Sequence, residues 1–435
     1  MTERPRAGAT DGGEVAATAS LASIAGQHWQ AVVVGAGPAG AAAATRLAAR
    51  GLTVLLVDAA AMPRPKLCGC CLSQTALAEL ATLDRIAPLG RQAGTGGPSG
   101  GLRLERVRLA TAALSAVVPM PRGAVVSREA LDADGVGRAI AAGAAWLPRA
   151  RVTTLTEGSD RVTLGLAAAD APVDPSQAVA ITAEIVIVAA GLADAIRGDG
   201  GSDRDERVIA PDSRIGLGTT LPAAAGGPPP GELVMAVSGR GYCGIVRLED
   251  GRVDIAAAVE RRSVAAAGSP AAAIAGLLAA TGGDRAANLA TPEASERLAT
   301  ATYRGTPPLT RRRPVHSRSG RILRVGDAAG YVEPFTGEGM GWALVSARLC
   351  DEALAPLVTA AGQLAGDVAT AGIRYALTHG RHFAAHHARC RRVSLVVRRP
   401  WLVGPALRLA RLAPALAARV VPLVIGGAPS PEAHG

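Results

Sequence analysis

The run Gly35-Ala-Gly37-Pro38-Ala39-Gly40 has the spacing that brings a backbone close to a pyrophosphate. Its first glycine permits a tight turn, its second leaves room for the phosphates, and its third lets a helix pack closely on the preceding strand. Pro38 suits the first turn of that helix and Ala39 adds no bulk. The helix start then offers free N–H groups and partial positive charge to the anion. Asp58 ends a second apolar run, where a carboxylate can accept the two hydroxyls of an adenosine ribose. This is dinucleotide-binding chemistry, and it leaves NAD and FAD both open.

A second glycine-rich element lies far downstream. Gly326-Asp327 follows an apolar run, and Gly337-Glu-Gly339-Met340 opens a helical pattern. An aspartate after a strand can bond ribityl hydroxyls. A glycine-rich helix start can aim N–H groups at the flavin N1 and C2 carbonyl, where charge gathers on reduction. Together the two elements select FAD.

Other residues offer proton and thiol chemistry. Of the 46 Lys and Arg residues, Lys66 is the single lysine, and it stands two positions from Cys68. A compact ammonium shifts its pKa on burial more readily than a guanidinium. Cys68-Gly69-Cys70-Cys71 satisfies a C-x-x-C spacing, but no second pair completes a zinc site, so no metal is expected. His382, His386 and Cys390 share a helical face with metal-ligand spacing. Arginines surround them and no acid is near, so the pattern predicts a solvated basic face.

The elements that position these groups are legible in outline. Gln30–Val34 and Leu52–Val57 are β-branched runs flanking the helical stretch Ala39–Gly51, a βαβ unit. Short apolar runs alternating with turns over 101–126, 215–259 and 298–310 predict antiparallel strands. Arg138–Trp146 reads as helix, 161–166 and 184–188 as strands, and the chain from about Met340 to Val421 as mostly helical. Residues 1–28 read as a mobile tail.

Composition excludes several classes. Hydrophobic residues at 49% and charged residues at 19% permit a large core and exclude global disorder. The net charge of +10 invites a nucleic-acid reading, but aromatic residues at 2% leave little to stack on bases. Arg311-Arg312-Arg313 reads as a solvated turn. Asp11 and Glu14 interrupt any signal-peptide pattern, and Arg408, Arg411 and Arg419 cut the C-terminal apolar runs below bilayer length. A cytoplasmic protein is expected. Arg398–Ile425, alternating apolar runs with arginines, suits either an anionic membrane surface or packing on the cofactor domain.

On Gly35, Gly37, Gly40, Asp58, Gly326, Asp327, Gly337 and Gly339, the chain resembles the flavoprotein superfamily of aromatic-ring hydroxylases and geranylgeranyl reductases. The resemblance implies an α/β fold: a Rossmann-like FAD-binding domain (29–92, 127–200, 311–354), an inserted antiparallel-sheet substrate domain (93–126, 201–310) and a helical extension (355–435). It implies that Arg128, in Val-Ser-Arg128-Glu-Ala-Leu-Asp132, lies over the cofactor. Lys66-Leu-Cys68-Gly69 is similar to a segment of the geranylgeranyl-reductase-like subgroup that lies beside flavin and pocket.

Two departures stand out. Ala190 replaces an aspartate that the hydroxylases carry before Gly191, with Asp194 and Arg197 following, which bears on NAD(P)H use. Tyr242 is kept where the reductases place an aromatic segment, but Gly244 replaces its tryptophan, against a long prenyl substrate. The resemblance implies an FAD-dependent, NAD(P)H-supported monooxygenase of an apolar small molecule, with Lys66, Cys68 and Tyr242 at the site. C=C reduction of an isoprenoid or other lipid and a non-catalytic electron carrier are the alternatives. Oligomeric state is open.

Overall fold

The apolar run Gln30–Val34 lies in β1 (His28–Val34), and Ala31 to Val34 are buried. β2 (Val54–Val57) is buried at all four positions, as a parallel strand covered on both faces must be. In the computed structural model, which describes residues 13–88, 100–172, 177–193, 207–333, 335 and 337–412, these strands centre a seven-stranded sheet. Its order is β6 (Ala145–Leu147), β2, β1, β9 (Val179–Val188), β8 (Val162–Ala168) and β7 (Ala150–Glu157). β17 (Ile322–Arg324) pairs with the end of β9, in parallel. Strands from three distant parts of the chain thus share one parallel core, the α/β fold expected.

Helices cover one face. α2 (Pro38–Ala49) follows β1, α3 (Gln74–Ile86) and α4 (Arg128–Ala141) flank it, and α9 (Gly339–Leu354) packs across α2 and α3. Seven of the twelve residues of α2 are alanine, and the helix is buried from Ala39 to Ala48, because helices press on it from two sides. Glu79 of α3 ties two of these helices together. It accepts from Arg46 of α2 at 2.9 Å and Arg348 of α9 at 2.7 Å.

The second layer is an eight-stranded sheet: β15 (Arg304–Pro308), β11 (Ile215–Leu221), β14 (Val253–Val259), β13 (Gly241–Arg247), β12 (Glu232–Ser238), β4 (Leu102–Thr111), β5 (Leu114–Val125) and β3 (Cys71–Leu72). The β3 pairing places the Cys68–Cys71 loop at the seam between the sheets. A small sheet of β10 (Val208–Ile209), β16 (Arg311–Arg312) and β18 (Gly330–Tyr331) lies beside it. Helices α5 (Arg261–Ala267), α6 (Pro270–Thr281), α7 (Gly283–Ala286) and α8 (Pro292–Thr300) back the sheet. The C-terminal region continues as α10 (Val368–Val397) and α11 (Pro400–Leu412).

Several expectations are corrected. Residues 13–27 are not a free tail: Val15 is buried with its N–H on Met62, and α1 (Leu21–Ile24) buries Ile24. The helix expected over 138–146 is α4, which starts ten residues earlier at the Ser127 cap and ends before β6. Residues 298–300 complete α8 before the strand begins. Arg311 is no solvated turn residue; it is 5% exposed and pairs in β16 with Tyr331.

Candidate flavin site and adjoining apolar cluster

The front glycines are held by contacts that admit no side chain. Gly35 has φ +103°, and a Cβ there would stand 2.5 Å from the Ala189 carbonyl oxygen. A Cβ on Gly40 would stand 1.8 Å from the Gly35 oxygen, so α2 can approach the strand only with glycine there. α2 begins after Gly37 with no side-chain cap, leaving its first N–H groups for a ligand. Asp58 fixes the turn, accepting from Ala36 N at 2.7 Å, Ala60 N at 2.9 Å and Arg64 Nη2 at 3.2 Å.

The downstream element comes to the same place. Gly326, at φ +60°, packs so closely on α2 that a Cβ would lie 2.9 Å from the Ala39 Cβ. Its N–H donates to Ser346 Oγ at 2.7 Å, tying the Gly326-Asp327 turn to α9. Gly337, at φ +71°, precedes α9, whose start at Gly339 also lacks a side-chain cap. Two uncapped helix starts, a cradle that only glycine fits, and Asp58 and Asp327 at strand ends form a donor set that fits FAD.

Cationic and thiol groups gather between these elements. A Cβ on Gly37 would lie 3.6 Å from Arg128 Nη2, and one on Gly191 would lie 3.5 Å from Lys66 Nζ. Arg128 is 5% exposed and bound through Nε and Nη2 to Asp132. Burial lowers the Lys66 ammonium from its ordinary pKa, and Arg128 and Arg64 add to the effect, while Asp132 and Asp327 oppose it. Burial raises the Asp327 carboxyl against the pull of Lys66, Arg128 and Arg311.

Cys68 Sγ lies 3.9 Å from Met340 Sδ. A hydrogen bond from the Cys70 side chain, aided by the Arg128 charge, pulls its thiol below the ordinary range. Cys70 and Cys71 move the opposite way: Cys70 first through that same hydrogen bond and then through burial, Cys71 through burial. Lys66, Cys68, Arg128, Asp327 and Met340 therefore meet in one locality.

Tyr242 stands elsewhere. It projects from β13 into an apolar cluster with Val107, Met235, Val237, Leu309 and Val397, adjoined by Leu192, Tyr331 and Phe335. Its ring meets Phe335 edge-on at 4.9 Å, and the Arg214 guanidinium lies 5.6 Å from its centroid. Arg214 has no exposed surface and donates through Nη1 to Glu333 at 3.0 Å, leaving Nε and Nη2 without a partner among the described residues. Burial raises the Tyr242 phenol well above its ordinary range, so it stays protonated. Leu192, next to Gly191, brings this cluster beside Lys66.

Arg214, Glu333, Tyr331 and Arg311 carry no signal in the sequence, because an arginine in an arginine-rich chain and an acid in a loop look ordinary. Asp132 was not singled out either, although its spacing of four from Arg128 is a signal for the pair. Met235 and Leu233 flank the point where a side chain on Gly244 would start. Ala190 precedes Gly191 at the site, while Asp194 and Arg197 lie outside the described residues. The histidines of α10 are not a solvated face. His387 stacks on buried Phe383 at 5.7 Å and meets Trp342 edge-on at 5.3 Å, and Cys390 is 1% exposed.

Residues 29–220 match the pyridine nucleotide-disulphide oxidoreductase family. A menaquinone reductase of Mycolicibacterium smegmatis is 58% identical over 52 residues, a segment covering 12% of this chain and 13% of that protein. A myxobacterial FAD-dependent chondrochloren halogenase superposes with TM-score 0.65 and 18% identity, covering 93% of this chain and 98% of the other. A geranylgeranyl bacteriochlorophyll reductase-like protein of Thermoplasma acidophilum gives 0.62 and 17%, covering 92% of each. With the glycine cradle and the paired helix starts, these likenesses show that the chain shares the fold of these flavoproteins.

Proposed function

We propose that the protein reduces an apolar substrate carrying an oxygen function, of the quinone-lipid class, with electrons from NAD(P)H. The observation that carries this reading is Arg214, wholly buried beside Tyr242 in an apolar wall with Nε and Nη2 unpaired among the described residues. Unpaired buried donors cost stability unless an acceptor arrives, and a carbonyl or hydroxyl on an apolar ligand supplies one. The short, strong likeness to a menaquinone reductase supports the same substrate class.

FAD, when bound, supplies the two-electron chemistry. The chain supplies the rest. The starts of α2 and α9 bind and orient the cofactor, and Arg128 places positive charge beside the Gly37 turn. The sheet roof excludes water, and the Tyr242 phenol, kept neutral by burial, holds a proton in the apolar wall.

Oxygen-dependent hydroxylation of a compact ring is the second reading. Gly244 favours it, because the residue itself adds no side chain between Met235 and Leu233. One experiment separates the two. The FAD-loaded enzyme is mixed anaerobically with NADH or NADPH, then with a quinone lipid, and the flavin spectrum and product mass are followed. Bleaching, then reoxidation by the lipid without oxygen, is the expected result. Product formation only on admitting oxygen overturns it in favour of hydroxylation, and no bleaching by either nicotinamide excludes NAD(P)H as the donor.

A further inference from the structure

Between Asp367 and Glu432 the chain contains no acidic residue. Its last two described helices therefore present only positive charge to solvent, and they present it around apolar side chains. On α11, Trp401, Pro405, Arg408 and Leu412 are all exposed and follow at steps of four, three and four, which sets them on one helical face. Trp401 is 70% exposed and Leu412 84%. The end of α10 adds Leu395 at 50% and Val396 at 43%. The opposite side of α11 is already used, since Leu407 is buried against Ala116 of β5.

The arginines divide in two. Arg389 pairs with Glu338, and Arg398 with Asp212 and Glu333. Arg391, Arg392, Arg399 and Arg408 are exposed and make no ion pair among the described residues. An exposed tryptophan and leucines ringed by unpaired arginines match the depth profile of a membrane interface: apolar groups at the acyl boundary, an indole at the headgroups, guanidinium groups on phosphate. A polyanion such as nucleic acid would use the arginines and leave Leu395, Val396 and Leu412 in water. No single helix among the described residues is long and apolar enough to cross a bilayer.

We infer that the α10–α11 corner is a docking surface for an anionic lipid membrane, with Trp401 and Leu412 entering the interface and Arg391, Arg392, Arg399 and Arg408 engaging lipid phosphates. The inference goes beyond the proposed reaction and holds whichever substrate is turned over.

The test uses the full FAD-loaded chain with phosphatidylcholine vesicles, with and without phosphatidylglycerol, at low and high salt. Co-sedimentation at least about tenfold stronger with the anionic vesicles, weakened by salt, is expected. Tryptophan emission should shift to the blue on binding in the native protein and not in Trp401→Phe, where Trp29, Trp146 and Trp342 remain. Joint Arg391→Gln, Arg392→Gln, Arg399→Gln and Arg408→Gln should lower binding about tenfold, with FAD content and circular dichroism unchanged. Equal or no sedimentation with both vesicles overturns the inference, as does binding that leaves the Trp401 emission unmoved. Self-association that is abolished by Trp401→Ser, in a protein that ignores vesicles, assigns the face to a second copy instead.

Discussion

Arg128 and Asp132 face each other one turn apart on α4, joined by two hydrogen bonds of 3.0 and 2.8 Å. The pair is buried, so the carboxylate both neutralises the guanidinium and fixes its plane beside the Gly37 turn. Replacing Asp132 with Asn leaves a buried charge without its counter-ion, which costs about 3–5 kcal/mol. Asp132→Asn is expected to lower the unfolding midpoint in urea and to release FAD faster. Asp132→Glu should restore part of both.

Gly40→Ala tests the closest approach in the fold. A Cβ there meets backbone, not a movable side chain, at 1.8 Å from the Gly35 oxygen. The variant should be poorly soluble or colourless after purification, whereas Gly276→Ala, where a Cβ meets open space, should be as stable as the native chain. Flavin absorbance per mole of protein decides it.

Cys68 should be the most reactive thiol at neutral pH, since its pKa is pulled down while those of Cys70 and Cys71 are raised. Alkylation mapped by peptide mass should label Cys68 first, with a rate that titrates below the usual thiol range. Arg128→Met removes the nearby positive charge and should move that titration upward.

The histidines around Phe383 predict a loss of stability in acid. Burial, aided by neighbouring histidines, holds His379 at about 3, and burial with Arg391 holds His387 at about 4. The unfolded chain protonates both near the ordinary value of about 6.5. Below that pH the unfolded state binds protons the folded state refuses, so their contribution is full above about 6.5 and is lost as pH falls toward 4 and then 3. Urea midpoints should fall over this window, by up to about 3 kcal/mol for His387. His387→Gln should flatten the slope.

Arg214→Met removes the unpaired donors while keeping the apolar stem. The reductase reading expects KM for the quinone substrate to rise about tenfold or more, with the rate of flavin reduction by NAD(P)H unchanged. A slowed flavin reduction would instead assign Arg214 to cofactor positioning.

The βαβ unit, the downstream Asp327 turn and the antiparallel roof were legible because each rests on local periodicity or on glycines whose spacing has a steric reason. Lys66 stood out by composition alone. The contact of Arg214 with Tyr242 and the pairing of Arg311 with Tyr331 were not legible, because they join residues far apart in sequence. The histidine face was misjudged for a related reason. Spacing shows which side chains share a helix face, but not that Trp342 and Phe383 cover it. The folded state of residues 13–27 escaped notice because its signal is Val15 and Ile24, two isolated apolar residues in a polar stretch.

The seven-stranded sheet takes β1, β9 and β17 from widely separated parts of the chain, and Cys68 touches Met340 across 272 positions. During synthesis, the adenosine half of the cofactor site emerges with the first βαβ unit, long before the half that would receive the flavin ring. β17 can join the end of β9 only once the intervening chain has been made. A newly made molecule should therefore recognise a nucleotide before it can retain a flavin, and its final locking step should be slow, because it closes a very long loop.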